Sequence, residues 1–161
     1  INLYWEENLF KILAILVTVI SIFCGNAFSQ DAENIIKYRK NIMKSIGNHI
    51  SVIALNLKGK VDISSDILPH SKALHITLAA MDINKTFPEG TSNNSGMKTT
   101  ALPKIWEKKE LFIDKMQESI NKAKDLVLAA EENDKKIIAK ALGALGKSCG
   151  NCHNEFREKK N

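Results

Sequence analysis

Apolar residues recur at helical spacing through most of this chain and predict four helices. In the first, over residues 31–58, they recur every seven positions with two more between them: Ile36, Met43, Ile50, Leu57, Ile46 and Ile53. This spacing places the side chains on one face of an α-helix. Asp31 suits the N-cap of that helix, and Gly59 suits its end.

The second helix is predicted over residues 64–85, with Ser64 or Ser65 as its cap. Its apolar face contains Ile67, Leu74, Leu78 and Met81. Residues 87–102 follow as a loop rich in Gly, Ser, Asn and Thr, bounded by Pro88 and Pro103. Because this loop is long for a compact bundle, we expect it to cover another part of the molecule.

The third helix is predicted to begin near Pro103, and the fourth to run from about Asn133 to Lys159. The apolar face of the third contains Ile105, Phe112, Met116, Ile120, Ala123 and Val127. That of the fourth contains Ile138, Ala141, Leu145, Cys149, Cys152 and Phe156. Four amphipathic helices without β-alternation predict an all-α, up-down-up-down four-helix bundle.

The N-terminal segment is typical of an export signal. A strongly apolar run from Leu9 to Phe23 is followed by Ala27 and Ser29, which suit positions −3 and −1 of a cleavage site. Residues 1–29 are therefore expected to be removed, leaving a domain of residues 30–161. The alternative, a membrane anchor, is disfavoured because the apolar run is short for a bilayer span. We expect no stable membrane anchor after cleavage.

The charge pattern limits the classes of molecule that this protein is expected to bind. The chain carries a formal net charge of +5, with lysines spread along it and neither an arginine cluster nor interleaved aromatic residues. This pattern predicts a solvated basic surface that docks acidic partners, and it argues against nucleic-acid binding. No nucleophile–base constellation, phosphate loop or catalytic carboxylate pair is visible, so we expect no enzymatic activity.

The most specific chemical signal is Cys149-Gly-Asn-Cys152-His153 near the C-terminus. This C-x-x-C-H pattern is typical of covalent haem attachment. Two thiols three positions apart bond the haem vinyl groups, and the adjacent imidazole ligates the iron. A zinc half-site and a thiol redox motif are the alternatives. Zinc needs a second ligand pair, and the chain has no second Cys pair.

An export signal, four helices and a C-terminal C-x-x-C-H together resemble the cytochrome c′ family, including its low-spin branch, the cytochromes c-556. The segments 38–44 (Tyr-Arg-Lys-Asn-Ile-Met-Lys), 102–106 (Leu-Pro-Lys-Ile-Trp) and 149–157 (Cys-Gly-Asn-Cys-His-Asn-Glu-Phe-Arg) contribute to the likeness. It covers essentially all of the predicted mature chain. Ordinary small cytochromes c place the haem motif near the N-terminus instead.

The resemblance implies a periplasmic protein with one covalent haem c, often a homodimer packed through its first two helices. It implies thioether links at Cys149 and Cys152, His153 as the proximal iron ligand, and Arg157 near the proximal haem face. Periplasmic redox proteins with acidic docking surfaces are the implied partners.

The sixth coordination position separates two hypotheses. In gas-binding cytochromes c′ an apolar residue of the first helix blocks it, whereas a Met ligates the iron in the c-556 branch. This chain has Met43 at that place. The main hypothesis is a one-electron carrier with His153 and Met43 as axial ligands. The alternative is a five-coordinate haem protein that binds nitric oxide or carbon monoxide, with Met43 only packing in the core.

Other possible ligands are weaker on spacing. Met81 and Met116 fit core stripes, and Met97 lies in the predicted loop. The three remaining histidines are interpreted as surface or boundary residues: His49, His70 and His75.

Overall fold

The computed structural model describes the backbone of residues 3–159, and the side chains of Lys11 and of residues 31–159. Its helices are α1 (Leu3–Leu57), α2 (Ile67–Ala79), α3 (Ile83–Thr86), α4 (Lys104–Glu107), α5 (Lys109–Glu131) and α6 (Lys135–Phe156). Two short 3-10 turns lie at Ser64–Asp66 and Asn93–Ser95. Residue contacts divide the chain into two units, one ending at Ile35 and the other beginning at Ile36.

The first helix is longer than the sequence predicts. We expected it to begin at Asp31, but α1 begins at Leu3, so Asp31 is an interior residue and not an N-cap. No proline separates the apolar run from Asp31, so the chain contains no strong helix breaker of that kind between the two segments. The end of the helix was predicted correctly to within one residue. Gly59 adopts a left-handed φ of 64°, which suits a residue that terminates a helix.

The export signal and its cleavage remain predictions. Apart from Lys11, residues 1–29 lie outside the described side chains. Among the residues that the structure describes fully, no helix is both long and apolar enough to cross a membrane.

The predicted second helix is interrupted. α2 ends at Ala79, and a separate short helix, α3, begins at Ile83. Asp82 causes this break, because its carboxylate accepts hydrogen bonds from the backbone N–H groups of Asn84 and Lys85 at 3.0 and 3.2 Å. A side chain that caps a new helix competes with continuation of the old one. Met81 therefore lies between two helices, although it is buried as predicted.

The third helix is also divided, since α4 and α5 meet at Lys108. α6 begins after Asp134, whose carboxylate accepts hydrogen bonds from Lys136 N and Ile137 N. It was predicted to reach Lys159 but ends at Phe156.

Pairing with the long loop explains this early end. The N–H of Leu102 donates to the carbonyl of Phe156 at 3.0 Å, and the N–H of Glu158 donates to the carbonyl of Thr100 at 2.8 Å. An isolated antiparallel bridge joins Ala101 to Arg157 between these bonds. The chain after Phe156 is therefore extended and satisfies its backbone through the loop.

The core lies between the four long helical segments. All the predicted stripes contribute to it, and its buried members include Ile46, Ile53, Leu74, Leu78, Phe112, Met116, Leu126, Ile138, Leu145, Cys152 and Phe156. The described residues contain no β-strand. The predicted all-α four-helix bundle is confirmed.

Candidate haem site

α6 directs both cysteines of the C-x-x-C-H motif toward the core. Residues three positions apart share a helical face. Cys152 is only 6% exposed and belongs to the core, whereas Cys149 is half-buried and packs against it. A prosthetic group attached to this pair would lie against the interior of the bundle.

Both sulfur atoms are held as thiols. Burial raises the pKa of Cys149, although hydrogen bonds from Ser119 and Ser148 oppose the shift. Burial, with the neighbouring Cys149, raises the pKa of Cys152 to about 11. A buried, protonated thiol is a poor nucleophile toward disulfides, so this environment does not suit a thiol redox motif.

His153 is half-buried at the end of the same helix. Burial lowers its pKa, and the positive charge of Arg157 lowers it further. The imidazole is therefore neutral at neutral pH, which is the protonation state that ligates a metal.

Arg157 does not lie within α6, although the fourth helix was predicted to continue to Lys159. It is the C-cap, with φ −121° and ψ 134°, and its N–H donates to the carbonyl of His153 at 3.0 Å. Its side chain is exposed. Arg157 thus stays beside His153, but because α6 ends and not because one more helical turn forms.

Met43 lies on α1 and packs, half-buried, against the core that contains Cys152. The fold thus brings α1 and the haem-motif helix to one core. Met81 and Met116 are buried elsewhere in this core, and Met97 is half-buried in the loop.

Arg39 lies one helical turn before Met43 on α1, and the sequence reasoning did not single it out. It is only 3% exposed. Its guanidinium donates to the hydroxyls of Thr91 and Thr99, each at 2.8 Å, and to the carbonyl of Thr91. Burial lowers its pKa to about 10. The salt bridges found among the described residues do not include Arg39.

A signal for Arg39 was present in the sequence. Between Ile36 and Met43 it occupies a position of the apolar stripe, where a charged residue is out of place. A buried cation without a carboxylate partner is costly unless a further anion compensates it.

Aromatic side chains connect Arg39 to the end of α6. Its guanidinium lies 5.1 Å from the centre of the Phe87 ring. Phe87 packs edge-on against Phe112 at 4.9 Å, and Phe112 packs edge-on against Phe156 at 5.2 Å. Trp106 donates its indole N–H to the carbonyl of Phe87 at 3.0 Å. The loop after Phe87 therefore covers the region between α1 and α6, as its length suggested.

The donor set of this region fits a covalent haem. It offers two thiols on one helical face, a neutral imidazole next to them, an apolar interior and a buried guanidinium that can compensate a carboxylate. Zinc fits poorly, because no cluster of three or more His, Cys, Asp or Glu side chains occurs among the described residues.

Comparison with known proteins also indicates a covalent haem. The family model described as Cytochrome C′ matches residues 34–157. This chain belongs to the cytochrome c′ family. Members carry one covalent haem c, and cytochrome c′ is a standard example of the four-helix bundle. The family's haem proteins are electron carriers or ligand binders, and not enzymes of the usual kind.

Relatives occur in both branches of the family. The cytochrome c′ of Pararhodospirillum photometricum is 32% identical over 126 residues, which cover 78% of this chain and 98% of that protein. The cytochrome c-556 of Agrobacterium tumefaciens is 34% identical over 127 residues, with coverage of 78% and 98%. A solved nitric oxide complex of a mutant cytochrome c′ from Alcaligenes xylosoxidans is 26% identical, with a TM-score of 0.70 and coverage of 80% and 97%.

Proposed function

We propose that this chain is a c-type haem protein that binds nitric oxide or carbon monoxide at the distal face of the haem. Cys149 and Cys152 would form the thioether links, and His153 would be the proximal ligand. When bound, haem supplies an iron that accepts a diatomic ligand on the side opposite His153. The observation that supports this proposal is the apolar packing of Met43, which explains the position of its side chain without any bond to iron.

The relatives favour the same assignment. Most of those found are cytochromes c′, and two solved neighbours, both variants of the cytochrome c′ of Alcaligenes xylosoxidans, hold nitric oxide. An apolar side chain over the distal face would exclude water and would admit only small, weakly polar molecules to the iron.

A one-electron carrier with Met43 as the second axial ligand is the other candidate. The specific observations in its favour are the thioether at this place on α1 and the cytochrome c-556 relative. A thioether is a soft, neutral donor that suits haem iron and raises its potential.

Arg39 and Arg157 would act on the haem from different sides. The buried guanidinium of Arg39, without a carboxylate partner among the described salt bridges, would compensate a haem propionate. Arg157, held beside His153 by the end of α6, would contribute positive charge near the proximal ligand and keep its imidazole neutral.

Location and partners follow from the sequence. We propose that residues 1–29 direct export to the periplasm, and that the basic surface of the domain docks acidic redox partners. We further propose a homodimer that packs through the first two helices. An apolar cleft of about 250 Å³ supports it, lined by Tyr38, Ile42, Ile76, Thr77, Ala80 and Met81. Tyr38 and Ile76 are 51% and 63% exposed, although both are largely apolar.

Titration of the ferrous protein with nitric oxide, followed by absorption, tests the function. We expect one nitric oxide per haem and a Soret band that shifts in proportion. A ferrous protein whose spectrum does not respond to excess nitric oxide would exclude gas binding.

Attachment of the haem has its own test. Acid–acetone extraction should leave the haem on the wild-type protein and remove it from a variant with both Cys149→Ala and Cys152→Ala. Haem that stays bound to the double variant would contradict the thioether assignment.

A further inference from the structure

Two histidines outside the haem region meet across the contact between α1 and α2. His49 Nδ1 lies 2.8 Å from His70 Nδ1, and the ring centres are 5.1 Å apart with the planes inclined at 54°. Both side chains are half-buried. Sequence spacing could not reveal this pair, because its members lie on different helices.

We propose that His49 and His70 together bind one divalent transition-metal ion, with Cu²⁺ as the best fit, in place of the proton that they otherwise share. Metal–imidazole bonds of about 2.0–2.1 Å in cis positions place the two nitrogen atoms about 2.9 Å apart. The observed separation of 2.8 Å is close to that value. A tetrahedral ion such as Zn²⁺ needs a wider separation of roughly 3.4 Å, whereas Cu²⁺ and Ni²⁺ favour tetragonal geometry.

Both rings must reorient to bind one ion. In the hydrogen-bonded form the Nδ1–H of one ring points at the Nδ1 lone pair of the other. Metal binding moves that proton to Nε2, and each ring turns about its Cβ–Cγ bond to direct its Nδ1 lone pair at the common ion. Both side chains are partly exposed, so water can reach an ion bound between them. Because the described residues offer no third ligand in a cluster, water would complete the coordination.

The local charges are compatible with a cation. Burial, together with the charge of His70, lowers the pKa of His49, so its imidazole is neutral at neutral pH and free to donate its lone pair. Lys72 follows His70 by two positions on α2, whereas Asp66, in the 3-10 turn before α2, precedes His70 by four. The negative charge of Asp66 would favour a bound cation.

The remaining histidines provide a control. The chain has four, and His153 is assigned to the iron. His75 is half-buried on α2, five positions after His70, so it points to a different side of the helix. Only the His49–His70 pair can offer two imidazole nitrogens to one ion.

Calorimetric titration of the untagged ferric haem protein with Cu²⁺ near pH 7.4 tests the proposal. We expect one ion per chain, at least tenfold weaker binding in His49→Gln and in His70→Gln, and unchanged binding in His75→Gln. Binding should weaken as the pH falls below about 6.5, where protons compete for the same nitrogens. Unchanged affinity in either Gln variant of the pair would overturn the proposal.

Pulsed electron paramagnetic resonance of the copper-loaded wild-type protein gives a second, independent test, which stands even where a variant fails to fold. We expect two coordinated imidazole nitrogens. Fewer than two, or no specific copper signal, would show that the pair holds a shared proton only.

Discussion

The guanidinium of Arg39 lies 5.1 Å from the centre of the Phe87 ring and donates hydrogen bonds to Thr91 and Thr99. One residue of α1 thus fixes both ends of the loop that covers the region between α1 and α6. The guanidinium is buried without a carboxylate partner among the described salt bridges. We therefore expect its charge to affect the reduction potential of the haem as well as the stability of the fold.

Replacing Arg39 with Met should lower the haem reduction potential, because a nearby cation stabilises the ferrous form relative to the ferric form. It should also lower the free energy of unfolding by about 2 kcal/mol, since the polar groups of Thr91 and Thr99 lose their buried partner. Lys40→Met is the matched control. It removes the same charge one residue later, where the side chain is exposed and solvent screens it. Equal potentials in Arg39→Met and the wild type would contradict a haem-side role.

Substitutions at Met43 separate packing from ligation. If Met43 only packs, Met43→Leu keeps the apolar volume and leaves the visible spectrum unchanged. Met43→Ala should open the distal face and accelerate carbon monoxide binding roughly tenfold, which corresponds to a barrier lower by about 1.4 kcal/mol. Flash photolysis measures these rates. A Met43→Leu spectrum that changes from low-spin to high-spin would instead identify Met43 as an iron ligand.

The His49–His70 pair predicts a pH dependence of stability in metal-free buffer. The pKa of His49 in the folded protein lies below its ordinary value of 6.5. Between those two pKa values the unfolded chain therefore binds more protons than the folded protein. The contribution of His49 to the free energy of unfolding is complete above about pH 6.5, and it is lost as the pH falls through the folded-state pKa. Urea unfolding at several pH values, with a chelator present, measures it.

Two variants give that measurement its controls. His49→Gln should flatten the pH dependence, whereas His75→Gln should preserve it. A His49→Gln protein that loses stability in acid as steeply as the wild type would refute the assignment.

If the apolar cleft between α1 and α2 forms the dimer contact, a charged side chain introduced at its rim should prevent dimerisation. Ile76→Asp places a carboxylate on its exposed rim and should convert the dimer to a monomer in analytical ultracentrifugation. Leu128→Asp is the control, because Leu128 is also exposed, at 51%, but lies on α5. A wild-type protein that is monomeric at high micromolar concentration would rule out the dimer.

Helical periodicity predicted the bundle, because apolar stripes such as Ile36 to Leu57 record which face of each helix is buried. It also located both cysteines on the core side of α6. The breaks in the helices were not predictable from periodicity, since local hydrogen bonds decide them. The carboxylate of Asp82 begins a new helix after α2, and the pairing of Leu102 with Phe156 ends α6.

Helical periodicity could not predict contacts between elements that are distant in sequence. The hydrogen bond between His49 and His70 depends on the alignment of α1 with α2, which no spacing within one helix reveals. The apolar stripe marks Arg39 as a charged residue at a core position, but it does not show what the guanidinium binds. Its hydrogen-bond partners, Thr91 and Thr99, lie in the long loop, about fifty and sixty residues further along the chain.

The most direct test of the account is the visible absorption spectrum of the purified haem protein, oxidised, reduced, and reduced under carbon monoxide. A distal face that Met43 covers without ligating the iron predicts broad high-spin bands on reduction, which shift when carbon monoxide is added. Sharp low-spin bands that carbon monoxide leaves unmoved would contradict gas binding and would identify a His153–Met43 electron carrier.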